Sequence, residues 1–173
     1  MVPRISWRRP ATLAAALSIL CLANGCNDSY LTADIAPTQG NTAKGEVRFY
    51  SVDGGVRVVA RLEGLTPGRH GFHLHEKGDC GAPDATSAGG HYNPAGTSHG
   101  APTADRAARH AGDLGNLEAD AEGKARYDRV DPVLDYGQLA GLSVLVHAGE
   151  DDLTSQPAGN SGARVGCGVI AAK

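Results

Sequence analysis

The chain has 173 residues, the length of a single domain, and its 16 basic and 19 acidic residues give a net charge of −3. Hydrophobic residues at 41% and charged residues at 20% exclude wholesale disorder. Because there is no basic excess, no nucleic-acid partner is expected. The 24 glycines and 9 prolines indicate many turns and favour an all-β chain over a helical one.

The N-terminus has the features of a secretory signal peptide, predicted over residues 1–25. Arg4, Arg8 and Arg9 form a positive segment, and a short apolar stretch follows over residues 11–23. This stretch is shorter than the roughly 20 apolar residues that a membrane-spanning helix needs. Loss of the segment removes three arginines, which leaves thirteen basic against nineteen acidic residues and a net charge of −6.

The end of this segment, Leu-Ala-Asn-Gly-Cys at residues 22–26, resembles a bacterial lipobox. That interpretation predicts a lipid anchor on Cys26 and explains why a third cysteine remains after cleavage. An ordinary small-residue cleavage site, formed by Ala23 and Gly25, is the alternative. Both begin the mature chain at Cys26. Residues 26–43 are polar and mixed, and we predict a flexible tether there.

Seven strands are predicted in the domain that follows, residues 44–173. Alternating apolar and polar residues separated by turn signals place them at residues 45–52, 56–65, 69–76, 114–119, 124–130, 142–148 and 163–171. A glycine- and proline-rich stretch, residues 77–112, is too long for an ordinary connection and is expected to be functional. The pattern predicts an antiparallel Greek-key β-sandwich or flattened barrel, immunoglobulin-like, with long metal-binding loops.

Histidines carry the chemical signal of the sequence. His73 and His75 are two residues apart on a predicted strand, so both rings leave the same face. Further candidate ligands lie on the long loop and the later strands: His91, His99, His110, Asp113 and His147. Imidazole nitrogens suit zinc and copper. Seven donors match two adjacent four-coordinate sites that share one ligand, but spacing alone does not choose the metals.

The cysteines support export. Cys80 and Cys167 are the only cysteines after Cys26, and two cysteines in an exported domain predict one disulfide. Thiolate metal ligation is the alternative, and no paired Cys-x-x-Cys or Cys-x-x-His spacing accompanies either residue.

Four segments then resemble the copper/zinc superoxide dismutase family, in the family's order: GFHLHEKGDC, AGGHYNP, RHAGDLGN and GNSGARVGCGVI, at residues 71–80, 88–94, 109–116 and 159–170. The resemblance is to a bacterial exported form, with a lipoprotein as one variant. It implies that the protein converts superoxide to dioxygen and hydrogen peroxide as copper cycles between Cu(II) and Cu(I).

The resemblance also implies a role for each candidate residue. Copper is expected on His73, His75, His91 and His147, and zinc on His91, His99, His110 and Asp113. His91 would bridge the two metals and act in catalysis. Asp151 is expected to link a copper ligand to a zinc ligand, Arg164 to attract the substrate beside copper, and Cys80 to pair with Cys167.

The expected partners are superoxide as substrate and a membrane reached through lipidated Cys26; the oligomeric state is left open, with a homodimer as one form. The expected location is the periplasm or cell envelope of a bacterium. A non-catalytic periplasmic module that binds copper and zinc is the alternative function. Such a module needs the ligands but neither Arg164 nor the Asp151 link.

Overall fold

The computed structural model describes residue 1 and residues 29–173 of the chain. The predicted signal peptide and the predicted lipid attachment point, Cys26, lie outside these residues. Within the described part, no helix has the length and apolar character needed to cross a membrane.

Within residues 29–173, eight antiparallel strands form a closed barrel, and a two-residue ninth strand pairs with the first. The strands are β1 Leu31–Pro37, β2 Lys44–Val52, β3 Gly55–Glu63, β4 Gly68–His75, β5 Asp113–Ala119, β6 Ala125–Asp131, β7 Ser143–His147, β8 Arg164–Val169 and β9 Ala171–Ala172. Their hydrogen-bonded order is β2-β3-β6-β5-β4-β7-β8-β1, and β1 pairs back onto β2. The β3–β4 and β6–β7 connections each cross over other strands, which makes this a Greek key. The predicted all-β fold is confirmed.

Along each strand, every second side chain faces inward, and these side chains fill the barrel interior. On β2 and β3 these are Val47, Phe49, Val56, Val58 and Ala60, each exposed by 1% or less. Because side chains alternate across a strand, the intervening residues of β2 and β3 face solvent. The seven predicted strands are therefore all present, with ends shifted by one or two residues.

The prediction of a flexible tether over residues 26–43 is wrong for residues 31–37, which form β1. This strand pairs with β2 on one side and β8 on the other, so it closes the barrel. Leu31, Ala33 and Ile35 point into the core, and the last two are exposed by 0% and 4%. The alternation was present in the sequence, but Asp34 and the small alanines made it weak.

Two connections carry the chemistry. The β4–β5 connection contains two short 3₁₀ helices, Thr86–Ala88 and Arg106–Ala108, and the β7–β8 connection follows His147. A third 3₁₀ helix, Tyr136–Gln138, precedes β7. Loops of this length are ordered only when their polar groups find partners, and the site below supplies those partners.

Replacement of Ile35 by alanine tests the role of β1. If β1 is a core strand, Ile35→Ala removes buried methyl groups and lowers the free energy of unfolding by about 2–5 kcal/mol. Asp34→Ala on the exposed side of the same strand is the control, with an expected change within about 0.5 kcal/mol. Urea unfolding of both variants gives the comparison. Equal stability of Ile35→Ala and wild type would contradict the core role of β1 and favour a flexible tether at residues 31–37.

Candidate metal centre

Two groups of four potential metal ligands meet on the outer face of β4 and β7, because Phe72 and Leu74, which alternate with His73 and His75, face the barrel core. The four-histidine group is His73, His75, His91 and His147, and the mixed group is His91, His99, His110 and Asp113. In each group the ligand atoms lie within 4.8 Å of one another, and every member is buried. His91 belongs to both groups, so seven side chains form two joined sites. The structure thus brings together every ligand that the sequence predicted.

The barrel positions the four-histidine group through strand pairing. β4 carries His73 and His75 on one face and pairs with β7, whose last residue is His147. An isolated bridge between His75 and His91 brings the long loop onto the same strand. Three chain segments therefore meet at fixed register, which is why ligands far apart in sequence converge.

The free nitrogens of the four-histidine group all point to one place. His75 Nδ1 lies 2.9 Å from the Gly89 carbonyl and His147 Nδ1 lies 3.1 Å from the Gly162 carbonyl. A carbonyl oxygen only accepts, so both Nδ1 atoms carry the hydrogen and both Nε2 atoms keep a lone pair. His73 donates from Nε2, which leaves its Nδ1 free.

Four buried nitrogens in this group have no hydrogen-bond partner among the described residues: His73 Nδ1, His75 Nε2, His91 Nε2 and His147 Nε2. Buried polar atoms without partners are rare, since each costs about 1–3 kcal/mol. Four such nitrogens in one cluster form a donor set for a metal ion, which would take all four lone pairs.

Asp113 organises the mixed group. Its Oδ1 lies 2.8 Å from His91 Nδ1, 3.0 Å from His99 Nδ1 and 3.1 Å from His110 Nδ1. Its Oδ2 accepts from the backbone nitrogens of Gly100 at 3.0 Å and His110 at 2.8 Å. One carboxylate therefore faces three imidazoles with one oxygen and fixes the loop with the other.

The Asp151 carboxylate joins the two groups from behind. Its Oδ2 accepts from His73 Nε2 at 2.8 Å, and its Oδ1 accepts from His99 Nε2 at 2.9 Å. Asn116 holds the Asp151 backbone by two hydrogen bonds. Asn116 Nδ2 donates to the Asp151 carbonyl at 2.9 Å, and the Asp151 backbone nitrogen donates to Asn116 Oδ1 at 2.8 Å. Gly159 packs so closely that a Cβ there would overlap the carboxylate. Such outer hydrogen bonds fix the ring orientation of metal ligands.

Burial keeps the imidazoles of His73, His75 and His147 neutral. Because burial disfavours the imidazolium form, it lowers the pKa of His73 to about 4, of His75 to about 2 and of His147 to about 3. Neutral imidazole is the form that binds metal, so these rings stay competent as ligands well below neutral pH.

Burial also lowers the pKa of His110, but for His99, Asp113 and Asp151 hydrogen bonds and charge outweigh burial. Burial opposes charge on Asp113 and Asp151, but hydrogen bonds from their histidine partners outweigh it and hold both pKa values well below the usual range. Burial likewise opposes charge on His99, and the two carboxylates outweigh it and raise its pKa to about 9. The site therefore demands positive charge at this position, which a dication beside Asp113 also supplies.

A buried ion pair between Arg109 and Asp131 supports the mixed group next to His110 and Asp113. Arg109 is exposed by only 1%, and its Nη2 donates to Asp131 Oδ1 at 2.6 Å while its Nη1 donates to the Asp113 carbonyl at 3.0 Å. The pair connects Asp131 on β6 to Arg109 and, through Arg109, to the backbone of Asp113, so that both flanks of His110 are held. Sequence analysis missed this role, because nothing in the spacing of Arg109 and Asp131 pairs them.

Arg164 stands next to the four-histidine group, opposite His147 in the β7–β8 pairing. Its Nη1 donates to the Ala85 carbonyl at 2.5 Å and its Nη2 to the Gly89 carbonyl at 2.6 Å. Gly89 also holds His75, so one carbonyl orients a predicted copper ligand and the arginine together. The positive charge of Arg164 contributes to the lowered pKa of His75 and of His147.

The predicted disulfide is present and anchors the loop that holds Arg164. Cys80 and Cys167 are bonded, with Cα atoms 5.8 Å apart and a separation of 87 positions in sequence. Ala85, Ala88 and Leu145 pack around it as a small buried cluster. This packing fixes the carbonyls to which Arg164 donates, so the disulfide acts on the site as well as on the barrel.

An open cleft leads to the four-histidine group. It has a volume of about 420 Å³ and is lined by His147 and by the β7–β8 connection from Ser155 to Gly162. A neighbouring cleft of about 380 Å³ includes Arg164 and shares Gly162. A small anion can therefore approach His147 with Arg164 on the rim.

Gln156 holds the two functional loops together, and sequence analysis missed it. Its Oε1 accepts from the His99 backbone nitrogen at 2.8 Å, and its Nε2 donates to the His99 carbonyl at 2.9 Å. This pair of bonds fixes the backbone of a predicted zinc ligand from the loop that lines the cleft. An exposed glutamine followed by proline gives no sequence signal for such a contact.

Comparisons with known proteins agree with this geometry. Residues 43–170 match the family model described as copper/zinc superoxide dismutase. An extracellular Cu-Zn superoxide dismutase of Drosophila melanogaster is 45% identical over 152 residues, covering 80% of this chain and 82% of that protein. A copper chaperone for superoxide dismutase of Rattus norvegicus is 41% identical over 149 residues, covering 82% of this chain and 53% of the chaperone.

The fold has close counterparts among solved structures. The crystal structure of the clock protein EA4 matches with a TM-score of 0.72 and 37% identity, covering 83% of this chain and 94% of that one. The likeness spans nearly the whole described barrel with its two long connections.

Loss of the Gln156 clasp is expected to loosen the mixed group selectively. Gln156→Ala removes two hydrogen bonds to His99, worth roughly 1–2 kcal/mol together, so zinc retention should fall about tenfold. Copper retention should not change, since no copper ligand is touched. Competition with a zinc chelator measures the effect, and Gln138→Ala, an exposed glutamine elsewhere, is the control. Equal zinc retention in both variants would contradict the role given to Gln156.

Proposed function

The chain belongs to the copper/zinc superoxide dismutase family, and on that premise we propose that it converts superoxide to dioxygen and hydrogen peroxide at its two joined ligand groups. The observation that carries the proposal is the sharing of His91 between two complete four-ligand groups. A single structural metal needs only one such group. Two groups that share the His91 ring would couple two bound metals chemically.

The donor sets fit copper and zinc. The four-histidine group offers only imidazoles, with four free nitrogens, which suits a copper that changes oxidation state. The mixed group offers three imidazoles and one carboxylate, a usual tetrahedral zinc set. We assign copper to His73, His75, His91 and His147, and zinc to His91, His99, His110 and Asp113.

When bound, copper supplies one-electron redox chemistry, so that one superoxide is oxidised and a second is reduced. Arg164 serves the substrate, because a guanidinium is charged at every working pH and can hydrogen-bond a small anion. Its contacts with Ala85 and Gly89 hold the guanidinium in place before the anion arrives. The side chain then needs no reorganisation when it meets the anion.

His91 is the residue suited to handle the proton. Its Nδ1 faces Asp113, while its Nε2 has no hydrogen-bond partner among the described residues. Because a carboxylate oxygen only accepts, Nδ1 carries the hydrogen of the neutral ring, and an additional proton can be taken up only at Nε2, the atom that faces the other copper ligands. The mixed group orients the ring, so the proton position stays fixed relative to the cleft.

A non-catalytic metal-binding role is the alternative, and a copper chaperone is among the similar proteins. Two observations favour the enzyme instead. Both ligand groups are complete and buried, which suits retention of metal more than its transfer. Arg164 is also fixed at the cleft by two carbonyls, a feature that metal transfer does not need.

We further propose that the protein is exported to a bacterial periplasm or envelope and carries a lipid on Cys26. The Cys80–Cys167 disulfide fits an oxidising compartment. An extracellular relative fits the same conclusion. Mass spectrometry of the membrane fraction should find a diacylglyceryl addition on Cys26 that the Cys26→Ser variant lacks. An unmodified Cys26 in soluble wild-type protein would refute the anchor and leave the enzyme proposal intact.

Three alanine variants test the shared-ligand arrangement by metal analysis and superoxide assay. His147→Ala should lose copper and activity but keep zinc, and His110→Ala should lose zinc but keep copper. His91→Ala should lose retention of both metals, because its ring is common to both groups. The first two variants control for each other. Loss of only one metal in His91→Ala would contradict the bridge.

Replacement of Arg164 tests substrate attraction separately from metal binding. Arg164→Ala should keep both metals and slow turnover about tenfold or more, equivalent to about 1.4 kcal/mol. Arg164→Lys should fall between, since it keeps the charge and loses the planar fork. The wild-type rate should fall as salt rises, and Arg164→Ala should respond less.

Arg106→Ala, an exposed arginine away from the cleft, is the matched control for that series and should behave as wild type. Equal rates and equal salt dependence of Arg164→Ala and wild type, at the same copper content, would make Arg164 a structural residue only.

A further inference from the structure

The outer surface of β2, β3 and β6 carries a basic patch, which we call the arginine face. Its charged members are Lys44, Arg48, Arg57, Arg61, Lys124 and Arg126, together with Glu46, Glu63 and Asp128. Lys124 lies in the turn before β6 together with the exposed acids Asp120 and Glu122, so the three strands themselves carry five basic and three acidic side chains, a balance of +2. The flanking Asp34 and Lys173 cancel. The chain from residue 26 onward has a net charge of −6, so this face is opposite in sign to the rest of the domain.

Two arginines on this face lie directly against each other. Arg61 on β3 and Arg126 on β6 are cross-strand partners, both exposed, and neither has an ion-pair partner among the described residues. Like charges at directly opposite positions destabilise a sheet. A cleft of about 340 Å³ runs beside them and also includes Lys124. An anion from outside the chain would relieve this repulsion.

The start of the described chain lies on the same face. The Tyr30 ring packs on the Tyr50 ring at 5.5 Å between centroids, and the Arg48 guanidinium lies 5.1 Å from the Tyr30 ring centre. Cys26 precedes Tyr30 by four residues, so the two are at most about 14 Å apart whatever the conformation between them. A membrane attached at Cys26 is therefore within reach of this face.

We propose that the arginine face rests on the anionic phospholipid headgroups of the membrane that holds Cys26; this rests on the lipid attachment proposed above. Basic side chains close to an anionic membrane surface are attracted to its phosphates. Tyrosines at the entry of the chain suit the headgroup region, because one end of each ring is apolar and the other polar. None of the metal ligands lies on β2, β3 or β6, so the cleft stays open to solvent.

Vesicle binding by the metal-loaded protein with Cys26→Ser tests the face without any lipid on the chain. Co-sedimentation is measured with vesicles of phosphatidylglycerol in phosphatidylcholine and with phosphatidylcholine alone. The anionic vesicles should bind the protein, more weakly as salt rises, and the neutral vesicles should not. Because each basic residue near such a surface contributes about fivefold, Arg61→Glu with Arg126→Glu should weaken binding about 25-fold or more.

The matched control is Lys77→Glu with Arg106→Glu, which makes the same change in net charge at exposed positions on the long loop. It should bind the anionic vesicles nearly as wild type does. Superoxide turnover of both double variants checks that each is folded and loaded with metal.

Equal weakening by both double variants would overturn the proposal, since only net charge would then matter. Absence of wild-type binding to anionic vesicles would overturn it as well, and retention on a soluble anionic polysaccharide in that case would assign the face to a polysaccharide. Because Cys26→Ser carries no lipid, each result is independent of whether Cys26 is acylated in the native protein.

Discussion

The Asp151 carboxylate is the interaction on which the rest of the site depends. It accepts one hydrogen bond from His73 and one from His99, and so fixes which nitrogen each ring turns toward its group. Without it, neither ring has a hydrogen-bond acceptor at Nε2, and only the shared His91 would join the two groups. Hydrogen bonds with Asn116 on β5 and the close packing of Gly159 hold this carboxylate in place. Ligand geometry is therefore set by the protein before metal binds.

Such a site lowers the stability of the metal-free chain, and the surrounding structure offsets this loss. Buried nitrogens without partners and buried carboxylates both oppose folding. The closed barrel, the disulfide and the Arg109–Asp131 pair supply rigidity around them. The local charge also differs from the global charge, because an acidic chain presents Arg164 beside two candidate dication sites on one face of the barrel wall. A recessed positive site can attract an anion despite an acidic surface.

The ligand residues could be predicted from the sequence because their chemistry is rare and their spacing regular. His73 and His75 lie on a strand with clear alternation, and the remaining ligands lie in motifs that resemble a known family. β1 was missed because its alternation is weak and residues 26–43 resemble a linker in composition. Gln156 and Asp131 were missed because their partners lie on other elements, and one sequence holds no record of those contacts. Local patterns gave the strands and ligands, whereas the supporting contacts required the three-dimensional structure.

The central claim is that one chain holds two metals through a shared histidine and uses them to dismutate superoxide. The most direct measurement is the copper and zinc content of the purified wild-type protein, with superoxide consumption measured on the same samples across a range of copper loading. The account predicts one copper and one zinc per chain, and turnover in proportion to copper at constant zinc. A protein fully loaded with both metals and unable to consume superoxide would contradict it.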